Sequence, residues 1–248
     1  MRAIVLLGHG SLRAGSGAAM IRLAARAREA GLAPIVEAGF LNYSRPSFAD
    51  ALARCVAKGA EQVIVQPYFL VPGKFVRIDI QRLVNISQAT QPGLRLLLAP
   101  PFGDHPALAQ LVLKRAAEVE GAAAGSPAPA ALLVMAHGSP NPRSNAPIEG
   151  IARRIEASGR YAAVVVCYMD LNQPSIPQAI DALVAHGIQG IVAVPYFLQF
   201  GGHVAEDLPA AIDEARLRHP ALTLLLAGHL AYDPLLLSVI ADRVQEAA

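Results

Sequence analysis

The chain of 248 residues reads as an α/β protein built from two copies of one lobe, each a four-stranded parallel sheet flanked by helices. Two observations lead there. The first is a repeat with a constant offset. His9-Gly10-Ser11 returns 128 positions later as His137-Gly138-Ser139. Pro46 and Pro174, Gly59 and Gly187, the Pro-Tyr-Phe-Leu quartets at Pro67 and Pro195, and Pro106 and Pro234 keep the same spacing. A frame held without insertion over that length marks a duplicated unit. The second is the character of the apolar segments, which are unbroken Val/Ile/Leu runs. Such strands are covered on both faces, as in a parallel sheet with helices on either side.

The elements follow in order. In the first copy Ala3–Leu7 is a strand, and Ala18–Ala30 has helical composition closed by Gly31. Pro34–Phe40 is the second strand, and Ser47–Lys58 a helix stopped by Gly59. Gln62–Pro67 is the third strand, a helix starts at about Val76, Leu94–Ala99 is the fourth strand, and a helix over Ala107–Val119 closes the copy. The second copy places strands at Ala131–Ala136, Ala162–Tyr168, Gly190–Pro195 and Leu222–Ala227. Between the copies, small residues and prolines mark a linker. The expected division is a lobe over 1–120, a linker over 121–130 and a second lobe over 131–248.

Composition narrows the function. With 54% hydrophobic residues and a net charge of +2, the chain is a folded protein rather than a disordered or nucleic-acid-coating one. A pI near 8.7 suits an anionic small molecule without pointing to DNA. The opening apolar run is too short for a secretory core, and no run approaches the ~20 residues that span a bilayer. Cys55 and Cys167 have no CxxC spacing, so neither a disulfide framework nor a thiolate site is signalled. No nucleic acid, no membrane and a cytoplasmic address are expected.

Residues with chemistry collect where ligands bind such sheets, beyond the carboxyl ends of the strands. His9 and His137 follow the first strand of each copy. In each triplet the glycine supplies a turn and the serine is read as a helix N-cap, but a turn does not require histidine. The second strand ends as GFLNYSRP in one copy and CYMDLNQP in the other, which pairs Asn42 with Asp170. The loop after the third strand, PGKFVRID or FGGHVAED, pairs Phe75 with His203. His137, Asp170 and His203 are spaced 33 residues apart, one per strand unit, and are expected to converge on one rim. Three nitrogen and oxygen ligands with open positions describe a catalytic or transfer site for a divalent metal. The matching trio His9, Asn42 and Phe75 keeps one ligand, so the copies have diverged in task. His105, His186, His219 and His229 lack counterparts and read as solvated or helix-end residues. An Arg-His-Gly phosphatase opening and glycine-rich phosphate loops are absent.

The His-Gly-Ser start, the acid-bearing second strand end, the Pro-x-Phe-Leu strand and the Gly-x-His-x-x-x-Asp loop together resemble the class II sirohydrochlorin chelatases of the CbiX type, in their long, two-lobed form. The resemblance covers essentially the whole chain. It implies two chelatase-like lobes and insertion of Co²⁺, or Fe²⁺ or Ni²⁺, into sirohydrochlorin, an anionic tetrapyrrole. His137, Asp170 and His203 match the family's metal-site positions. His137 and His203 are expected to face the ring and accept its protons. His9 is either a further proton acceptor or a relic of the duplication. Two departures stand out: Asp170 occupies a position usually held by Glu, and the first copy's site is degraded at Asn42 and Phe75. No cofactor beyond the divalent metal substrate is implied, and a fused pair suits a monomer. The competing reading is a tetrapyrrole carrier or metal chaperone derived from a chelatase. A hydrolase using the adjacent His and Ser ranks last, because neighbours on one turn do not readily form a nucleophile–base pair.

Overall fold

Each apolar run becomes one strand. In the computed structural model, which describes residues 1–12, 15, 17–122 and 130–248, β1 (Arg2–Gly8), β2 (Ile35–Phe40), β3 (Gln62–Pro67) and β4 (Arg95–Leu98) form a parallel sheet in the order β2-β1-β3-β4. β5 (Ala131–Ala136), β6 (Ala163–Tyr168), β7 (Gly190–Pro195) and β8 (Thr223–Leu226) repeat it as β6-β5-β7-β8. The predicted strands therefore stand, with ends moved by a residue or two. Ala3–Leu7 and Ala131–Ala136 are buried throughout, because both faces of these central strands are covered. Burying each Val, Ile or Leu contributes about 1.5–3 kcal/mol, so the two central strands anchor their cores.

Local chemistry sets the helix boundaries. α1 (Ala18–Glu29) ends at Gly31, whose φ of +77° favours glycine. α2 (Phe48–Ala57) begins where Ser47 and Asp50 close a capping box: the Asp50 amide donates to Ser47 Oγ at 3.2 Å, and the Ser47 amide donates to Asp50 Oδ2 at 2.8 Å. These hydrogen bonds, with Arg45 beside it, hold the Asp50 carboxyl below its usual range. The helix expected from Val76 starts as a π-helical turn over Phe75–Ile80 and continues as α3 (Gln81–Thr90). α4 (Pro106–Ala122) closes the first copy. The second copy supplies α5 (Ala146–Glu156), α6 (Ile176–Ala185), a π-helical turn over His203–Asp207, α7 (Leu208–Arg218) and α8 (Leu235–Ala247). α6 repeats the capping box, with Ser175 and Gln178. Among the described residues no helix is long and apolar enough to cross a membrane.

The compact units differ from the sequence-read lobes by one helix each. One unit comprises Met1–Gly103 with Tyr232–Ala248, and the other Asp104–Ala231. α8, from the second copy, packs on β3 and α1; α4, from the first copy, packs on β7, β8 and α5. A matched pair of arginines holds the exchange. Arg243 donates from Nε and Nη2 to the Phe102 carbonyl at 3.2 and 2.8 Å. Arg115, its counterpart 128 positions earlier, donates to the carbonyls of His229 and Leu230 at 3.0 and 3.1 Å. The expected linker also shifts, because α4 runs through Gly121 and Ala122 and Glu120 accepts a 2.6 Å hydrogen bond from the Tyr161 hydroxyl. The rest of that linker, 123–129, lies outside the described residues.

Candidate functional site

The strand order explains why distant residues meet. β1 sits between β2 and β3, and β5 between β6 and β7, so the segments leaving these three strands emerge side by side at the carboxyl edge. His9 follows β1, and its carbonyl accepts from the Asn42 amide at 2.9 Å. In the second unit the His137 carbonyl accepts from the Asp170 amide at 3.2 Å. The glycine of each His-Gly-Ser triplet permits this approach. A Cβ on Gly10, at φ +86°, would lie 1.8 Å from the Asn42 carbonyl oxygen. One on Gly138, at φ +94°, would lie 2.3 Å from that of Asp170. The triplet serines are not helix N-caps, which corrects the sequence reading. α1 is preceded by Gly17 and α5 by Asn145. The serines instead tie the turn to the second strand end: the Ser11 amide donates to Ser44 Oγ at 3.0 Å, and the Ser139 amide to Asn172 Oδ1 at 2.7 Å.

In the second unit the two histidines come together. The rings of His137 and His203 lie edge to face with centroids 5.1 Å apart, and both residues are exposed. His203 opens the π-helical turn and Asp207 closes it, and His203 Nδ1 lies 2.7 Å from Asp207 Oδ2. An ionised carboxylate only accepts, so in the neutral imidazole Nδ1 carries the proton and Nε2 presents a lone pair. His137 Nδ1 faces the Gly138 carbonyl at 3.4 Å, a longer contact with the same consequence for its tautomer. The rim thus offers two imidazole nitrogens able to hold a cation or accept a proton.

Asp170 does not complete the expected trio. Its backbone is bonded to the His137 turn, but the residue is exposed. Among the described residues no group of three or more His, Cys, Asp or Glu side chains is spaced to hold a metal ion. The strand end brings the Asp170 main chain to His137, and the aspartate stem is one methylene shorter than glutamate. Asp207, which the sequence reading named only as the end of the Gly-x-His-x-x-x-Asp loop, is the carboxylate that meets His203. Its signal was present, since the aspartate recurs as Asp79 and closes both loops.

The first unit places His9, Asn42 and Phe75 on the equivalent rim but makes an aromatic cluster there. The His9 ring meets Phe75 edge to face at 4.3 Å and Tyr43 at 5.9 Å, and Phe75 stacks on Phe69 at 6.3 Å. His9 Nδ1 is 3.0 Å from the Gly10 carbonyl, which leaves its Nε2 as the lone-pair nitrogen. The tyrosines of both Pro-Tyr-Phe-Leu quartets are core residues, and burial pushes their phenols above the usual range.

The remaining histidines are mostly helix-end residues, as expected. His105 Nδ1 accepts from the Ala107 amide at 3.2 Å at the start of α4. His186 and His219 are the C-caps of α6 and α7, and His219 also pairs with Asp181 at 2.7 Å. His229 differs. It is half-buried beside Phe200, and desolvation followed by the nearby Arg115 guanidinium lowers its pKa from 6.5. Both cysteines are buried free thiols, and Cys55 is pushed up to about 12 by desolvation, so neither is a reactive thiolate at neutral pH.

Fold and rim together define an internally duplicated α/β protein in which, among the described residues, one lobe carries a histidine pair at its rim. The CbiX family model matches residues 3–119 and again residues 131–247, and the chain belongs to that family. Over 247 residues it is 26% identical to a protein of Priestia megaterium described as sirohydrochlorin cobaltochelatase, covering 99% of this chain and 80% of that one. It is 23% identical over 250 residues to the sirohydrochlorin ferrochelatase of Bacillus subtilis, covering 100% of this chain and 92% of that one. The solved structure of SirB from Bacillus subtilis with Fe3+ shares the fold, with a TM-score of 0.87 at 21% identity over 99% of this chain and 94% of that one.

Proposed function

We propose that this chain is a chelatase that inserts a divalent metal into sirohydrochlorin, and that the second unit performs the insertion. The observation that carries the reading is the His137–His203 pair, with His203 held by Asp207. Full-length similarity to both cobalto- and ferrochelatases supports the reaction class and leaves the metal open. Cobalt is the favoured substrate in our reading, with iron or nickel as alternatives.

The chemistry follows from charge balance. A divalent cation enters the macrocycle and two pyrrole N–H protons leave. A neutral imidazole, with an unperturbed pKa of ~6.5, can hold the cation or take a proton near neutral pH. His137 and His203 present their Nε2 lone pairs for both tasks, and Asp207 stabilises the imidazolium that forms on His203. The exposed Asp170 carboxylate attracts the cation and relays protons outward. Incomplete ligation suits a transfer site, because the metal must be given up to the ring. No redox or nucleotide cofactor is required by this chemistry.

Sirohydrochlorin incubated with Co²⁺, Fe²⁺ or Ni²⁺ separately tests the proposal through initial rates against a protein-free control. The chelatase reading expects acceleration with at least one metal and its loss in His203→Ala. Full activity in His203→Ala would remove the second unit from the reaction. One observation favours the carrier or chaperone reading, namely the lack of a third clustered ligand among the described residues. That reading expects tetrapyrrole or metal binding with insertion no faster than the control.

A further inference from the structure

Six of the rim positions at which the two copies differ bear on what each rim can hold. Asn42, Tyr43, Lys74, Phe75, Arg77 and Ile78 in the first copy correspond in sequence to Asp170, Leu171, Gly202, His203, Ala205 and Glu206 in the second. At these positions Asp170, His203 and Glu206 correspond to Asn42, Phe75 and Ile78, and Lys74 and Arg77 stand where the second copy has Gly202 and Ala205, while His137 and Asp207 keep their counterparts His9 and Asp79. At these six positions the first rim is aromatic and basic, and the second carries two acids and the second imidazole. The first rim thus sets lysine, arginine and two aromatic rings around its histidine.

The geometry makes these residues one surface. Phe75 sits against His9 at 4.3 Å and over Phe69 at 6.3 Å, and Tyr43 flanks His9 at 5.9 Å. Large apolar side chains normally seek burial, yet Tyr43 is 66% and Phe75 40% exposed. Tyr43 has a left-handed backbone at φ 59°, as does its counterpart Leu171 at φ 64°. Lys74 and Arg77 are exposed beside Phe75, with Arg77 Nε donating to the Pro72 carbonyl at 2.6 Å. Aromatic faces take flat conjugated ligands by offset or edge contact, and flanking cations take carboxylates.

We propose that the first unit's rim is a binding platform for the macrocycle itself. A planar conjugated ring carrying several carboxylates lies against His9, Tyr43 and Phe75, with Lys74 and Arg77 on its carboxylates. The naming of a tetrapyrrole rests on the chelatase reading; the chemistry of the platform does not. In this proposal the first rim holds the ring and the second rim the cation.

Titration of the intact protein with metal-free uroporphyrin, a planar octacarboxylate, by fluorescence tests this. Phe75→Ala and Tyr43→Ala are expected to raise Kd about tenfold each. Phe75→Leu keeps apolar bulk and removes the ring, so its loss of affinity separates stacking from packing damage. Lys74→Glu is expected to weaken binding at low salt and to flatten its salt dependence. Ile86→Ala, at an exposed position on α3 outside the platform, leaves Kd unchanged. Wild-type protein that fails to bind uroporphyrin, or Phe75→Leu and Lys74→Glu proteins that bind like wild type, overturns the platform. Metal insertion into sirohydrochlorin, measured on the same samples, keeps the two readings apart. Insertion with Kd values indifferent to these substitutions overturns the platform alone, whereas sensitive binding without insertion overturns the chelatase reading alone.

Discussion

Arg243 donates two hydrogen bonds to the carbonyl oxygen of Phe102, although the two residues come from different copies of the repeat. The Arg243 side chain is largely buried, with 16% of its surface exposed, and Glu246 pairs with its other terminal nitrogen at 2.6 Å. The last helix of each copy has thus become part of the other copy's packing unit.

Arg243→Ala removes both donors, leaves the Phe102 carbonyl without them and vacates the space under α8. A loss of about 2–3 kcal/mol is expected from charge-assisted hydrogen bonds of this kind. Urea unfolding measures it, and Arg115→Ala is expected to match it in the other unit. For the same reason, a fragment ending at residue 120 lacks α8 over β3 and is expected to unfold at lower denaturant than the full chain.

Asp207→Asn keeps the shape of the His203 contact and removes the charge. A carboxylate that orients an imidazole and raises its basicity typically contributes 10–100-fold to metal affinity or activity. Initial rates of metal insertion should fall by that factor while the urea midpoint stays close to wild type. Unchanged rates would show that the 2.7 Å contact does not tune His203.

Gly138→Ala forces a methyl group toward the Asp170 carbonyl and demands a left-handed backbone from a residue that disfavours it. The His137 turn must move, so insertion activity falls steeply, with a stability cost of about 1–3 kcal/mol. Gly10→Ala carries the same stability cost in the first unit and, in our reading, less loss of insertion. A side-by-side comparison of melting and activity for the two variants checks the division of labour.

His229 gives stability a pH dependence of known sign. Its folded pKa lies below the ordinary 6.5, from desolvation first and Arg115 second. The unfolded chain therefore binds the proton first as pH falls. Stability from this residue is intact above about pH 6.5, declines as pH drops from there, and stops declining once pH passes the depressed folded value. Urea midpoints measured from pH 8 to 5 should show this slope, and His229→Gln should reduce it.

Sequence alone determined the duplication, the α/β class, the strand positions and the pairing of His9 with His137, Asn42 with Asp170 and Phe75 with His203. Those features are written locally, in apolar runs, capping residues and a constant offset, and neither copy needed the other to reveal them. Only the tertiary structure decided that α4 and α8 change partners. An amphipathic helix records which face it buries, not which of two near-identical sheets it buries that face against. Spacing likewise brought three candidate ligands to one rim, but side-chain reach decided which of them meet. His203 found Asp207 four residues along its own π-helical turn, while Asp170 contributed its main chain to the His137 turn and left its carboxylate in solvent.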